Sequence, residues 1–193
     1  MGSTKVHYLR SFLPVAAEAD AAMIRCAARQ LANYVCVVTT DAEDARSGRA
    51  ASSVSLLCAE PARLLICLDP RGSSGAAFAR SASFAVNVLG GDQREIAEQF
   101  AGSPDACGAG QLVRWALVAD GLAGLADCAA VFECEVEEAI ERHARLIIIG
   151  RVRRALIRGG SGALVRWRGA FDQLGWSRDE IARAVGLRPS GGT

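Results

Sequence analysis

Lysine is almost missing from this chain: Lys5 stands alone against twenty-one arginines. That skew reads as a compositional bias of the source genome more than as chemistry. Histidine is nearly as scarce, with His7 and His143 as the only two. A serine nucleophile would need His143 as its base, and no G-x-S-x-G turn presents a serine to it. Spacing alone leaves a Cys–His pair open but recommends no particular cysteine. Two histidines so far apart are poor metal ligands, and none of the seven cysteines forms a C-x-x-C pair, which argues against zinc. A G-x-G-x-x-G dinucleotide turn is missing too, since Arg71-Gly72-Ser73-Ser74-Gly75 does not match it. No apolar run approaches the ~20 residues a membrane helix requires. The opening MGSTKVHYLR lacks the apolar core and cleavage site of an export signal. A formal charge of +1 argues against a general nucleic-acid binder. The expectation is a cytoplasmic protein whose Cys36, Cys58, Cys67 and Cys134, all set among apolar neighbours, are buried reduced thiols.

What is present suits one domain. The chain has 193 residues, 51% hydrophobic and 22% charged, enough for a sizeable core. Residues 1–17 carry no periodicity and read as an arm. Glu18–Asn33 repeats Met23, Ala27 and Leu31 at helical spacing. Val35–Thr40 is a β-branched strand, Asp41–Gly48 a polar turn, and Ala50–Ser55 a small-residue strand. Leu64–Leu68 and Phe84–Leu89 are further strands, and Asp92 with Glu95 resembles a capping box for a helix reaching about Phe100. Ala101–Gly110 reads as a loop, and Gln111–Ala126 is ambiguous. In Val131–Glu138 apolar and glutamate side chains alternate, the mark of a half-buried antiparallel strand. Ala144–Ile157 is a long strand that Gly150 should bend or bulge. Ala163–Leu174 reads as a last strand, followed by a short helix over Ser177–Val185 and a disordered tail. The domain is thus expected over 18–175, with the helix and tail in 176–193. Short strands without regular βαβ alternation favour a mostly antiparallel β-barrel with peripheral helices.

Two features suggest a ligand. Gly48–Leu89 gathers backbone amides, serine hydroxyls and an arginine beside tight strands. The turn Gly72-Ser73-Ser74-Gly75 leads into a helix-capable piece, where an anion could sit with help from Arg71. An ordinary polar turn explains that spacing equally well. The second feature is charge: eight arginines and no acid from Arg142 to Arg168, with five glutamates just upstream in Glu133–Glu141. Cross-strand Glu–Arg pairs would neutralise part of this. Alternatively, some arginines face a pyrophosphate.

At this point the residues resemble a family, the flavin reductases of the FMN-binding split-barrel type. Members read G-x-T-A-S-S-[FV]-x-S-V-S-x-x-P-P-x-x-L-x-C, which Gly48 to Cys67 follows without a gap. The family's F-x-V-N-V-L matches Phe84–Leu89, and its Q-x-x-[IL]-A-x-x-F-A matches Gln93–Ala101. Its G-D-H-x-[IL]-x-x-G-x-V is met by Arg142-His143 through Gly150 and Val152. Its aromatic-R-G-x-[YF] segment is met by Trp167–Phe171. Departures are Ala50 for threonine, Leu56 and Cys58 for serines, Ala62 for the second proline, and Arg142 for the aspartate before the histidine.

The resemblance implies a homodimeric, antiparallel split barrel. It also implies hydride transfer from NADH or NADPH to FMN or FAD, with reduced flavin released to a partner monooxygenase or halogenase. By position, Arg49, Ala50, Ala51, Ser52 and Ser53 would line the flavin. Cys67, Leu68 and Asp69 would lie along it, Ser73 and Ser74 would hold its phosphate, and Phe100 and Ala101 would border it. His143 would contact the nicotinamide, with Arg168 and Phe171 beside it. No residue is implied as a catalytic acid or base. Two other readings stand beside this one: a flavin carrier or store on the same barrel, and a dimeric domain without enzyme activity.

Overall fold

The computed structural model describes residues 20–42, 45–71, 73–102, 114–119, 122–158 and 162–175. The expected arm over 1–17 and the expected terminal helix and tail lie outside the described residues. Among the described residues, 20–31 form one compact unit and those from Ala32 onward another. The first contains helix α1 (Ala21–Ala28), shorter than the periodicity suggested because Asp20 caps it, its carboxylate accepting from Met23 N at 2.7 Å.

The second unit is built on strands. A seven-stranded sheet has the order β3 (Ala45–Ala51), β2 (Cys36–Ala42), β6 (Ser83–Val88), β9 (Ala130–Arg142), β10 (Arg145–Ile157), β5 (Ala62–Leu68) and β4 (Val54–Ala59). Every pairing in it is antiparallel. Its two edge strands, β3 and β4, are consecutive in the chain and joined only by Ser52 and Ser53. A flat sheet of seven strands could not bring its edges within two residues of each other. The sheet therefore curls into a barrel whose seam lies at that dipeptide. Cys67 N donates to Ser53 O at 2.9 Å, carrying the β4–β5 ladder up to the seam.

The alternation of side chains makes two cores from one sheet. Cys36 and Val38 point with Ile66, Leu68, Phe84, Cys134 and Ile148 into one cluster. Val35 and Val37 join Leu89, Phe100, Val131 and Leu164 in the other. β2 is thus buried on both faces, which is why Val35–Thr40 shows no alternation. Fully burying each large side chain such as Phe84 or Ile148 contributes about 1.5–3 kcal/mol. Helices α2 (Ser73–Arg80) and α3 (Arg94–Gly102) pack around the barrel through Phe78, Ala97 and Phe100. A three-stranded sheet of β1 (Asn33–Tyr34), β11 (Ala163–Trp167) and β12 (Ala170–Leu174), with the hairpin of β7 (Trp115–Ala119) and β8 (Leu122–Leu125), completes it. The fold class expected from the sequence is the one observed.

Several local expectations change. Asp41–Gly48 is not a free turn, because β2 and β3 pair as far as Ala42 and Ala45. The strand expected over Ala50–Ser55 is two strands, since the seam interrupts it at Ser52. Ala163–Leu174 is a hairpin turning at Arg168-Gly169, where both residues have positive φ. Just before α3, Gln93 Oε1 reaches back to accept from Gly90 N at 2.9 Å, fixing the turn that leads into the helix. Gly150 does mark a register shift. A Cβ there would lie 2.4 Å from the Phe84 ring, so the glycine also makes room in the barrel interior.

Candidate functional site

Where the seam opens, the second unit carries a cleft of about 340 Å3. One wall is the end of β3 and the linking dipeptide: Arg49, Ala50, Ala51, Ser52 and Ser53. The facing wall is the end of β5 and its continuation: Cys67, Leu68 and Asp69. Phe100 and Ala101 of α3 border it, with Val35, Arg145, Arg166 and Phe171. Small side chains along β3 leave the backbone within reach of a ligand. Gly48 holds one border in place, since a Cβ there would meet Phe100 Cε1 at 2.4 Å. Trp115 meets the Phe100 ring edge-on at 6.5 Å.

Charge in the cleft is ordered around Asp69. Its carboxylate accepts from Arg71 N at 3.0 Å and Arg71 Nε at 2.9 Å. Arg145 Nη1 stands 3.4 Å from its Oδ2. The Arg71 hydrogen bonds, ahead of the charges of Arg71 and Arg145, hold this carboxyl well below the usual carboxylate range. Arg49 does something else: its guanidinium donates to the carbonyls of Asp69 and Arg71, the second at 3.1 Å. It thereby ties β3 to the turn that follows β5. Gly75 keeps that turn tight, because a Cβ there would lie 2.1 Å from Pro70 O. Arg166 leans on Phe171, its Cζ 5.8 Å from the ring centroid.

Most of the residues singled out in the sequence come together here: Arg49 through Ser53, Cys67 through Asp69, Phe100, Ala101 and Phe171. Ser74 does not line the cleft, being 1% exposed in the first turn of α2. The side chain of Ser73 lies outside the described residues. His143 sits exposed in the two-residue turn between β9 and β10, with φ +50°, away from the cleft lining. Arg168 also lies outside that lining, its guanidinium stacked 4.4 Å from the Trp167 ring centroid. Val35, Arg145 and Arg166 were missed. A signal for Arg145 existed: counting back from Gly150, the histidine of the G-D-H-x-[IL]-x-x-G pattern falls on Arg145. The rest of the arginine tract is largely neutralised, as Arg151 and Arg153 reach Glu135 at 2.7 and 3.5 Å and Arg158 reaches Asp127 at 3.3 Å. Among the described residues no cluster of His, Cys, Asp or Glu could hold a metal ion.

Residues 28–175 match the flavin reductase like domain family. A curated relative from Methylorubrum populi, the FMN reductase (NADH) RutF, is 32% identical over 125 residues, covering 65% of this chain and 60% of that protein. The chain therefore aligns with somewhat under two thirds of that relative's length. Two solved structures share the fold. The NADH:FAD oxidoreductase SgcE6 of Streptomyces globisporus, in complex with NAD and FAD fragments, has a TM-score of 0.73 and 25% identity over 82% of this chain and 98% of that one. BorF, the flavin reductase component of a bacterial two-component tryptophan halogenase, has a TM-score of 0.72 and 27% identity over 80% of this chain and 98% of its own.

Proposed function

The chain belongs to the flavin reductase like domain family, and from that premise we propose that it is an NAD(P)H-dependent flavin reductase, using FMN or FAD in the seam cleft. The carrying observation is the convergence of Arg49–Ser53, Cys67–Asp69 and Phe100 on that one cleft. A flavin fits what is there: a wall of small residues against which a flat ring can lie, backbone groups at a sheet edge, and two serine hydroxyls. The coenzyme supplies the hydride-accepting chemistry when bound. The protein's part is to hold the rings against β3, bring a nicotinamide alongside, and set the polarity at the ring edge through backbone dipoles and nearby guanidinium groups. No side chain is assigned as a proton donor or acceptor.

Relatives favour FMN with NADH by the name of the Methylorubrum protein and FAD by that of the Streptomyces protein. A partner monooxygenase or halogenase that takes up the reduced flavin is supported by the setting of BorF. Homodimerisation is supported by exposed large apolar side chains on the barrel unit, among them Tyr34, Leu56, Leu57, Trp167 and Leu174. No helix among the described residues is long and apolar enough to cross a membrane. The second reading, a flavin carrier with little NAD(P)H oxidation, is favoured by an arginine, Arg145, standing where the family pattern has its histidine.

One titration separates them. NADH and NADPH consumption is followed with FMN, FAD and riboflavin in turn, and the bound flavin's spectrum is watched under nitrogen. Turnover with bleaching of the yellow colour supports the reductase. Stable yellow protein that neither nucleotide bleaches leaves the carrier, and colourless protein at saturating flavin rejects both.

A further inference from the structure

Three arginines line the cleft, and they differ in what holds them. Arg49 is committed to two backbone carbonyls. Arg166 rests on Phe171 beside a β-hairpin. Arg145 has a looser hold. Among the described residues its recorded partner is Asp69, at 3.4 Å, too long for a good charged hydrogen bond. Both oxygens of Asp69 already accept from Arg71, so the carboxylate keeps its main partner if Arg145 leaves. Arg145 is about half exposed, its side chain at 54%. Yet its backbone is fixed: it opens β10, paired with Arg142 across the hairpin, next to a turn whose two residues both have positive φ.

We propose that Arg145 is the phosphate-recognising cation of the cleft, leaving Asp69 for a phosphate group of the bound nucleotide. This rests on the reading of the cleft as a flavin and nicotinamide site. A phosphate offers Arg145 a bidentate partner that the occupied Asp69 does not. Asp69 is then a competitor that weakens phosphate binding and keeps the guanidinium aimed into the cleft between ligands. Two ligands carry the required chemistry: the terminal phosphate of FMN and the diphosphate of a nicotinamide dinucleotide.

Equilibrium titrations decide the matter without turnover. Wild type, Arg145→Gln, Asp69→Asn and the double variant are titrated with FMN, with riboflavin, and with ADP-ribose in the presence of riboflavin. Arg145→Gln should weaken either FMN or ADP-ribose at least tenfold while leaving riboflavin unchanged, and whichever falls identifies the phosphate. Asp69→Asn should tighten that same ligand severalfold, and should have no such effect once Arg145 is glutamine, a coupling that simple loss of packing would not produce. Unchanged affinity for both phosphate ligands, or an equal loss for riboflavin, overturns the proposal. If wild type binds no flavin at all, the reading of the cleft has failed instead. Circular dichroism and thermal midpoints of the variants distinguish a binding loss from unfolding.

Discussion

At the scale of single residues, Asn87 carries the clearest structural duty. It is fully buried on β6, donates to Val37 O at 2.8 Å and Thr39 Oγ1 at 3.0 Å, and accepts from Leu125 N at 2.8 Å. One amide thus joins β2 and β6 to the β7–β8 hairpin. Asn87→Leu should destabilise the protein by a few kcal/mol, since each buried polar group left unpaired costs about 1–3 kcal/mol; urea unfolding measures it. The turn at His143 and Ala144 holds two non-glycine residues at φ +50° and +56°, a geometry glycine adopts at no steric cost. Ala144→Gly should therefore raise the thermal midpoint slightly, by a stability gain of order 1 kcal/mol.

Titration acts from both sides. Burial pushes the thiols of Cys36, Cys128 and Cys134 up to about 12 from 9.0. Between those values the native state binds more protons than the unfolded one, so stability falls as pH rises through that window. Asp69, Glu135 and Glu137 are lowered, chiefly by hydrogen bonds from Arg71, Arg151 and Arg63. Their contribution is present above the ordinary carboxylate range, about pH 4, and is lost as pH falls below it. A plot of thermal midpoint against pH should show a plateau that declines at both ends; a midpoint still rising above pH 9 would contradict the thiol assignment.

At the scale of elements, the strands with regular alternation were legible and the turns were not. Val131–Glu138 declared its alternation, though Glu133 is buried; Glu135 pairs with Arg151 opposite it on β10, and Glu137 reaches past β10 to Arg63 on β5. Asp41–Gly48 looked like a turn because its residues are polar, but pairing with β2 overrides that propensity. Arg168-Gly169 was hidden inside Ala163–Leu174, which reads as a single strand because one glycine is a weak turn signal. Gly150 was legible as a bulge, while its reason, the Phe84 ring beside it, depends on a partner distant in sequence. Gly150→Ala should therefore cost about 1–3 kcal/mol through overpacking, visible as a lower urea midpoint with an unchanged slope. Gly48→Ala should push Phe100 from its position at the cleft border. It should alter flavin affinity several-fold and also lower the urea midpoint, because Phe100 is itself buried in the second core.

At the scale of the whole molecule, the barrel creates the site. β3 and β4 are opposite edges of the sheet and immediate neighbours in the chain, so closure places Ser52 and Ser53 where the edges meet. No local pattern contains that fact. The sequence resemblance brought out most of the cleft because its motif runs along both strands of the seam. Arg145 was missed because the histidine pattern was anchored on His143 and not on Gly150, and Arg166 because it lies just ahead of the Trp167–Phe171 motif. Ser74 was singled out by its place in a serine-glycine turn, yet its burial reflects packing of α2 against the barrel.

The most direct test of the seam as the flavin site uses Cys67, which lines the cleft and is half-buried, with exposed Cys26 as an internal control. Alkylation rates at each cysteine are measured by peptide mass spectrometry, with and without saturating FMN. The account predicts that FMN slows modification of Cys67 at least tenfold and leaves Cys26 unchanged. Bound FMN with Cys67 reacting at its original rate would contradict it.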